Sequence, residues 1–430
     1  MNATIIGFIA VLVLALAGLP IGFGLFAVGL IGFAYVIDWA PALAMVGQIA
    51  WETPQNYGFS VLPLFILMGA FLNQAKLSND LYEASNTFLG HHRGGLAMAT
   101  IVACGGFSAV CGSSLATAAT MAKVSIPSMR RYGYADSLAA GSVAAGGTLG
   151  ILIPPSTVFV IYGILTQTDI GKLFAAGILP GILTIVLYCL AIMLVVRLKP
   201  SLGPPGEYSR WSLRWKALLR VWAVVVLFVV VIGGLYVGAF TPTEAAGIGA
   251  FGSYLFVLLR NGWSWHGLRA AALETARSTA AIFVVLIGAI VFSNFVNVAG
   301  MSVALGGWVR GLDMSPTAVL VVILIFYVLL GCVFESMSMI LLTIPILFPI
   351  VQQLGIDPIW FGVLVVVVTE VGLITPPVGL NVYVLKSVFR DIESATIFRG
   401  VFPFVCADLV RIALLTTFPA ISLWLPSFMK

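Results

Sequence analysis

The chain has 430 residues, 61% of them apolar and only 9% charged, with 21 Lys and Arg against 16 Asp and Glu for a net charge of +5. An ordinary soluble domain carries about a quarter charged residues, so this chain lacks the polar material to cover a surface facing water. That excludes a soluble enzyme, a disordered chain and a nucleic-acid binder, and at about 20 residues per crossing leaves a protein spanning a bilayer roughly ten to fourteen times.

The opening Met1-Asn2-Ala3-Thr4 has no basic n-region, so the apolar run after it reads as a retained helix rather than a cleaved signal. Apolar segments follow at 4–18, 20–37, 60–75, 136–166, 173–197, 221–240, 243–259, 279–298, 358–388 and 395–425, which gives ten crossings. Two further apolar stretches, 95–127 and 316–350, are too long for one simple span and are broken internally by Gly, Ser or Glu. Each ends at a proline (Pro127, Pro349) and reads as a re-entrant hairpin. Segment 200–220, with Gly203-Pro204-Pro205-Gly206 followed by Arg210, Trp211, Arg214, Trp215 and Lys216, reads as an amphipathic linker on the cytoplasmic lipid face. Segments 77–90 and 262–276 read as interfacial helices or as ordinary cytoplasmic loops. The five cysteines (Cys104, Cys111, Cys189, Cys332, Cys406) lie in apolar stretches without CxxC spacing and read as small buried hydrophobes.

Positive charge favours the cytoplasmic side. With both hairpins re-entrant and the N-terminus outside, 16 of the 21 basic residues fall inside and three outside (Lys172, Arg310, Lys430), while Lys123 and Arg411 lie within apolar segments. Making 95–127 a single span would set its basic flanks, Arg93 and Arg130, on opposite sides. The flanks of 316–350 (Asp313, Gln352, Gln353, Asp357) carry no adjacent Lys or Arg and face outward.

The halves repeat. Gly150-Ile151-Leu152-Ile153-Pro154-Pro155 matches Gly372-Leu373-Ile374-Thr375-Pro376-Pro377 at an offset of 222, which also relates Pro127 to Pro349 and Asp169-Ile170 to Asp391-Ile392. Each unit reads as three spans, a hairpin and two spans. Five crossings is an odd number, so the second copy is inserted upside down. Inverted repeats with discontinuous helices are the architecture of secondary transporters, with sites near the midplane.

A proline inside a helix donates no N–H and clashes with the carbonyl four residues earlier. Pro154 and Pro155 therefore free the carbonyls of Gly150 and Ile151, and Pro376 and Pro377 those of Gly372 and Leu373. In hydrocarbon such groups need protein, water or an ion, and a hard monovalent cation supplies that need. The half-helices restarting at Ser156-Thr157 and Val378-Gly379 point positive dipole ends inward, which favours an anionic group. The hairpin tips, Cys111-Gly112-Ser113-Ser114 (then Thr117 and Thr120) and Phe334-Glu335-Ser336-Met337-Ser338, should face these breaks. Asn381, one turn past the second break, suits either substrate contact or an interhelical hydrogen bond. These choices make Ser114, Ser156, Ser336, Gly379 and Asn381 the substrate-contact candidates. Asp408 and Arg411 are spaced to pair, and Glu335 or Glu370 could carry a proton in place of sodium coupling.

The stretches Gly146-Gly147-Thr148-Leu149-Gly150-Ile151-Leu152-Ile153-Pro154-Pro155-Ser156 and Gly372-Leu373-Ile374-Thr375-Pro376-Pro377-Val378-Gly379-Leu380-Asn381 resemble the signature loops of the large membrane (M) subunit of TRAP transporters. The resemblance covers essentially the whole chain. It implies an all-α polytopic membrane protein of the bacterial or archaeal inner membrane, an inverted-repeat elevator-type transporter with two re-entrant helical hairpins and two discontinuous helices. It further implies Na+ as coupling ion, a separate small four-helix Q subunit, and a periplasmic substrate-binding protein (P subunit) delivering an organic acid such as a C4-dicarboxylate or sialic acid. One sodium site would use Ser113, Gly150, Ile153 and Pro155, and its counterpart Gly372, Thr375 and Pro377 with the second tip. Glu335 stands where the first tip has Ser113, so the two sites need not be chemically alike.

On this reading residues 1–75 and 221–298 are scaffold helices. Residues 76–198 and 299–430 each hold an arm, a hairpin and a broken helix of the moving body, and 199–220 is the cytoplasmic linker. A stand-alone sodium- or proton-coupled anion symporter is the nearer rival. An intramembrane hydrolase built on Gly112-Ser113 is the remote one, since His91, His92 and His266 all fall in loops away from that tip.

Overall fold

The computed structural model describes residues 2–311 and 314–429. Met1, Asp313, Lys430 and the side chain of Arg310, which entered the sequence readings, lie outside the described residues. Among the described residues all regular structure is helical. The first half runs α1 (Asn2–Leu16), α2 (Ile21–Val36), α3 (Trp39–Gln55), α4 (Val61–Gln74), α5 (Leu77–Leu89), α6 (Gly95–Cys111), α7 (Ser114–Arg131), α8 (Asp136–Thr148), α9 (Thr157–Thr166) and α10 (Ile170–Leu198). After the linker come α11 (Trp211–Arg220), α12 (Trp222–Tyr236), α13 (Pro242–Asn261), α14 (Trp265–Val298), α15 (Met301–Gly311), α16 (Pro316–Gly331), α17 (Ser336–Gln353), α18 (Pro358–Ile374), α19 (Leu380–Val388) and α20 (Ser394–Thr417).

The 222-residue register extends from motifs to whole elements. Helices α7 and α17 begin and end 222 residues apart, and α8 and α18 begin at the same spacing. Contacts repeat as well. Helix α2 packs along α14 and α4 along α13, and in this register α2 matches α13 while α4 matches the second part of α14. Likewise α9 packs on α17 and α19 on α7. Small residues permit the closest of these approaches. A Cβ on Gly400 of α20 would stand 1.8 Å from the Ser137 carbonyl oxygen of α8, so the two backbones touch.

Three sequence readings change. Helix α3 has no counterpart among the expected apolar segments, because its Trp39, Pro41, Glu52 and Pro54 break any apolar run. Segments 262–276 and 279–298 are one helix, α14, of 34 residues. Its first-half counterpart is split into α3 and α4 because Pro54 ends one helix and Asn56, extended, caps the next turn through Gly58 N at 2.9 Å. Ala276 and Ser278 stand at the matching positions and let α14 run on. Finally, Pro127 and Pro349 lie inside α7 and α17, about one turn before their ends, rather than terminating the hairpins.

Five helical stretches are long and apolar enough to cross a membrane (Tyr57–Gln74, Ile170–Leu198, Pro242–Asn261, Trp265–Val298 and Ser336–Gln353), and α11 with α12 passes as one pair bent by 48°. Of the other expected crossings, α1 and α2 are short, α8–α9 and α18–α19 are interrupted, and 395–425 is mostly the 24-residue α20, with Pro403 inside it. Helix α17 is long enough to cross by itself, although the sequence reading puts it inside a re-entrant hairpin.

The Gly400 contact gives a first prediction. Gly400→Ala lowers the thermal midpoint of the detergent-purified protein, by an overpacking cost of about 1–3 kcal/mol. Gly247→Ala, at a glycine with nothing within 4 Å, does not. Fluorescence-detected size-exclusion melting compares the two, and equal midpoints contradict the packing described.

Candidate functional site

Helix α8 ends at Thr148, a tighter turn covers Leu149–Ile151, and α9 starts at Thr157 under a Ser156 cap that accepts from Phe159 N at 3.3 Å. The intervening Pro154–Pro155 peptide is cis, as is Pro376–Pro377. One of the carbonyls released by the prolines is recovered locally, since the Ser156 hydroxyl donates to Ile151 O at 2.5 Å. Among the described residues no side-chain donor or loop amide reaches the carbonyls of Gly150, Ile153 or Pro155. The Ile153 side chain packs away from the break, against Gly181 and Gly105.

The first tip lies directly on this break. Helix α6 closes with Gly112 in the left-handed region (φ 64°), which a side chain would disfavour, and Ser113 caps α7 by accepting from Ala116 N at 3.4 Å. A Cβ on Gly150 would be 2.4 Å from Ser113 O, and one on Gly112 would be 2.9 Å from Pro155 O. Thr157 Oγ1 donates to Gly112 O at 2.9 Å and pins tip to break. Ser113 O accepts from Thr117 N at 3.1 Å and from the Cys111 thiol, a weak donor, at 3.9 Å. Four sequence-predicted residues, Ser113, Gly150, Pro155 and Ser156, thus share one place.

The second break is related but not identical. Helix α18 ends at Thr375, whose amide donates to Gly372 O at 3.3 Å and whose hydroxyl donates to Val371 O at 2.6 Å. Gly379 caps α19 with φ 62°, and its would-be Cβ is 3.4 Å from Thr375 O. Pro154 and Pro155 are buried, whereas Pro376 and Pro377 are exposed. Gly372 packs against Gly331 at the end of α16, where a Cβ would come within 2.3 Å of backbone, rather than against Glu335. Glu335 nevertheless fills the role of Ser113 in this half. It caps α17, its carboxylate accepting from Ser338 N at 3.2 Å.

Two substrate-contact candidates meet each other. Asn381 is fully buried, donates to Ser114 Oγ at 3.0 Å and to Ala144 O at 3.0 Å, and so joins α19 to the first tip and to α8. The turn Leu149–Ile151 touches α18, the helix that leads into the second break. Ser336, the counterpart of Ser114, is buried with a hydroxyl that has no partner, as is Thr117. In the 222 register Asn381 matches Phe159 of α9, so the first half offers Ser336 no amide.

Beside the breaks lies a charge cluster that the sequence reading found only in part. The expected Asp408–Arg411 pair forms at 2.9 Å, and Glu370 joins it at 2.7 Å, with all three side chains fully buried. Thr184 accepts from Arg411 at 2.7 Å and Tyr188 donates to both Asp408 oxygens at 2.9 Å, tying α10, α18 and α20. The signal available in the sequence was the count: one buried base among two buried acids on apolar helices.

A fold of duplicated, interlocked helices with two proline breaks can be compared with known proteins. Residues 8–421 match the family model for the tripartite ATP-independent periplasmic (TRAP) transporter, DctM component. The chain belongs to that family. It is 37% identical over 408 residues to the C4-dicarboxylate TRAP transporter large permease protein DctM of Pseudomonas aeruginosa, covering 94% of each. It is 32% identical over 422 residues to the sialic acid TRAP transporter large permease protein SiaM of Vibrio cholerae, covering 96% of each. Its fold is similar to that in the crystal structure of the Alcanivorax borkumensis YdaH transporter, with a TM-score of 0.67 over 98% of each chain at 14% identity. As a TRAP large permease the chain is a multi-pass membrane protein.

Arg411→Leu leaves two acids buried without a cation and is expected to cost about 3–5 kcal/mol, read as loss of the monodisperse peak after purification. Tyr188→Phe removes one donor and costs about 1 kcal/mol, read as a lower melting midpoint with the peak retained. A normal melting midpoint for Arg411→Leu would contradict the cluster.

Proposed function

We propose that this TRAP large permease takes up an organic acid, a C4-dicarboxylate or sialic acid, by sodium-coupled secondary transport, with an elevator motion of the hairpins and broken helices against α1–α4 and α12–α14. The single observation that carries the sodium reading is the contact of Ser113 with Gly150 and of Gly112 with Pro155, which sets the donor-free carbonyls of Gly150 and Pro155 against the first tip at a helix break. Uncharged carbonyl dipoles suit a hard monovalent cation, and a neutral cage releases it again. The hydroxyls of Ser336 and Thr117 are donors without acceptors near the restarted helices, as an anionic substrate needs. Ser114 and Asn381 would hold the pocket wall by their mutual bond, with Asn381, fully buried and bonded to Ser114 and Ala144, acting as a tie between helices. Gly379 lets the chain turn beside it.

The same geometry pairs one Glu370 oxygen with Arg411, which weighs against a proton route there, while the other oxygen is buried without a partner. The geometry also disfavours a hydrolase at Ser113, whose hydroxyl serves as a helix cap. The tripartite family supports a Q subunit and a periplasmic binding protein as partners, with the chain in the bacterial inner membrane and its N-terminus in the periplasm. The hairpins α6–α7 and α16–α17 would then be re-entrant from opposite faces, a reading that the different charge of their flanks supports.

The test is uptake of radiolabelled succinate or N-acetylneuraminate into proteoliposomes holding the chain with its Q subunit and binding protein. Replacing sodium by potassium at fixed pH stops uptake, and Gly150→Ala, which pushes a methyl group against Ser113 O, raises the half-saturating sodium at least about tenfold. Uptake that ignores sodium and collapses with a protonophore overturns the proposal.

A further inference from the structure

Of the arginines whose side chains are described, two are buried, Arg411 and Arg214. Arg411 meets two carboxylates. Arg214, 8% exposed, meets none. Its guanidinium carbon lies 4.9 Å from the Trp211 ring centre, 5.0 Å from Tyr208 and 5.7 Å from Phe88, so aromatic faces surround the cation. Its Nε and Nη2 are buried with no acceptor. Those two nitrogens form the edge with which an arginine grips a carboxylate or phosphate through parallel hydrogen bonds. Arg130 shows that edge filled, holding Asp136 at 2.7 and 3.0 Å. On Arg214 the edge is bare.

A buried cation whose donors face nothing is costly unless an anion completes it. Among the described residues no acid pairs with Arg214, and Glu207, next to Tyr208, is exposed. On the facing helix α5, Glu83 is taken by Arg220 at 2.8 Å and Asp80 by Arg260. The neighbouring His91 has a buried Nδ1 without a partner and stands 5.4 Å from the Tyr208 ring. Burial, with His92 and Arg214 close by, holds its imidazole below the usual range, as expected where positive charge is uncompensated.

The surroundings identify the source of the anion. The cage sits where α5 packs on α11, just before α12 enters its apolar run. Trp211, Trp215, Trp222 and Tyr208 are exposed around it, the residues that mark a headgroup level. Exposed Leu213 and Leu219 on α11 offer cover for acyl chains, and exposed Arg210 and Lys216 favour negative charge. We propose that the bare edge of Arg214, with His91 beside it, binds the phosphodiester of an anionic phospholipid at the cytoplasmic surface.

The site lies at a joint. Gly94 N donates to Gly203 O at 2.9 Å and Gly206 N to Gly90 O at 2.8 Å, so the linker is strapped across the turn that leads from α5 into α6. A bound lipid would staple the linker helix to the arm that feeds the first hairpin.

Native mass spectrometry of the detergent-purified protein titrated with phosphatidylglycerol or phosphatidylcholine tests this. Phosphatidylglycerol is expected to bind about tenfold more tightly than phosphatidylcholine. Arg214→Gln should abolish the difference, Arg210→Gln should leave it, and millimolar inorganic phosphate should not displace the lipid. Arg214→Lys, which keeps charge and stem but lacks the two-pronged edge, should give the same loss, so that misfolding of the glutamine variant does not decide the matter. Equal retention by Arg214→Lys, an equal loss in Arg210→Gln, equal binding of the two lipids, or displacement by inorganic phosphate overturns the proposal.

Discussion

The constraint on which this fold depends is the peptide group in a medium without water. Each carbonyl within the bilayer must find a donor, and continuous helix is the ordinary answer. Here two helices stop in the middle of the molecule, and the way their released carbonyls are treated defines the site. Ile151 O is closed by the adjacent Ser156 hydroxyl. Gly112 O is closed by Thr157. What is left uncovered is a small set around Gly150, Ile153 and Pro155, facing a tip whose glycine and serine keep side-chain bulk out of the way.

Placing bare carbonyls in a membrane protein requires a rigid surround, and the buried Glu370–Arg411–Asp408 cluster provides one. Its members lie on α18 and α20, its hydroxyl partners on α10, and none is exposed. A charge network this deep is weak evidence for stability. Its value is geometric: only one relative placement of the three helices lets every charge find its partner, so the broken helices keep their positions if they move as a body.

Much of this was legible in the sequence because duplication leaves an arithmetic trace. Residues with backbone roles, such as Gly150, Pro155, Gly372 and Pro377, recur at one offset since each copy must break its helix at the same place. Helix α3 was hidden because its prolines and tryptophans imitate a loop, and the split between α3 and α4 turns on Pro54 and Asn56. The membership of Glu370 in the cluster was hidden for a different reason. Its partner is 41 residues away on another helix, and no local spacing reports such a contact. Asn381 was ambiguous for the same reason, because its bonds to Ser114 and Ala144 cross between the copies.

Divergence between the copies then explains why one break differs from the other. A duplicated pair starts with two equal sites, and equality is kept only where both partners of each contact are kept. Ser114 retains its amide partner in Asn381, so the first tip is bonded across the midline. Ser336 faces the α9 side, where Phe159 stands in place of an amide, and its hydroxyl is left without a partner. Glu335 replaces Ser113 as the helix cap, adding length and charge at the point where the first copy has a short hydroxyl. Gly372 packs on Gly331 instead of on the tip, and the prolines beyond it are exposed. Each change loosens the second tip from the second break while the first pair stays closed. Under the proposed sodium-coupled uptake, the closed half would hold the ion through carbonyls fixed in advance, and the open half has the unpartnered Ser336 hydroxyl, which a larger anionic cargo would order as it binds.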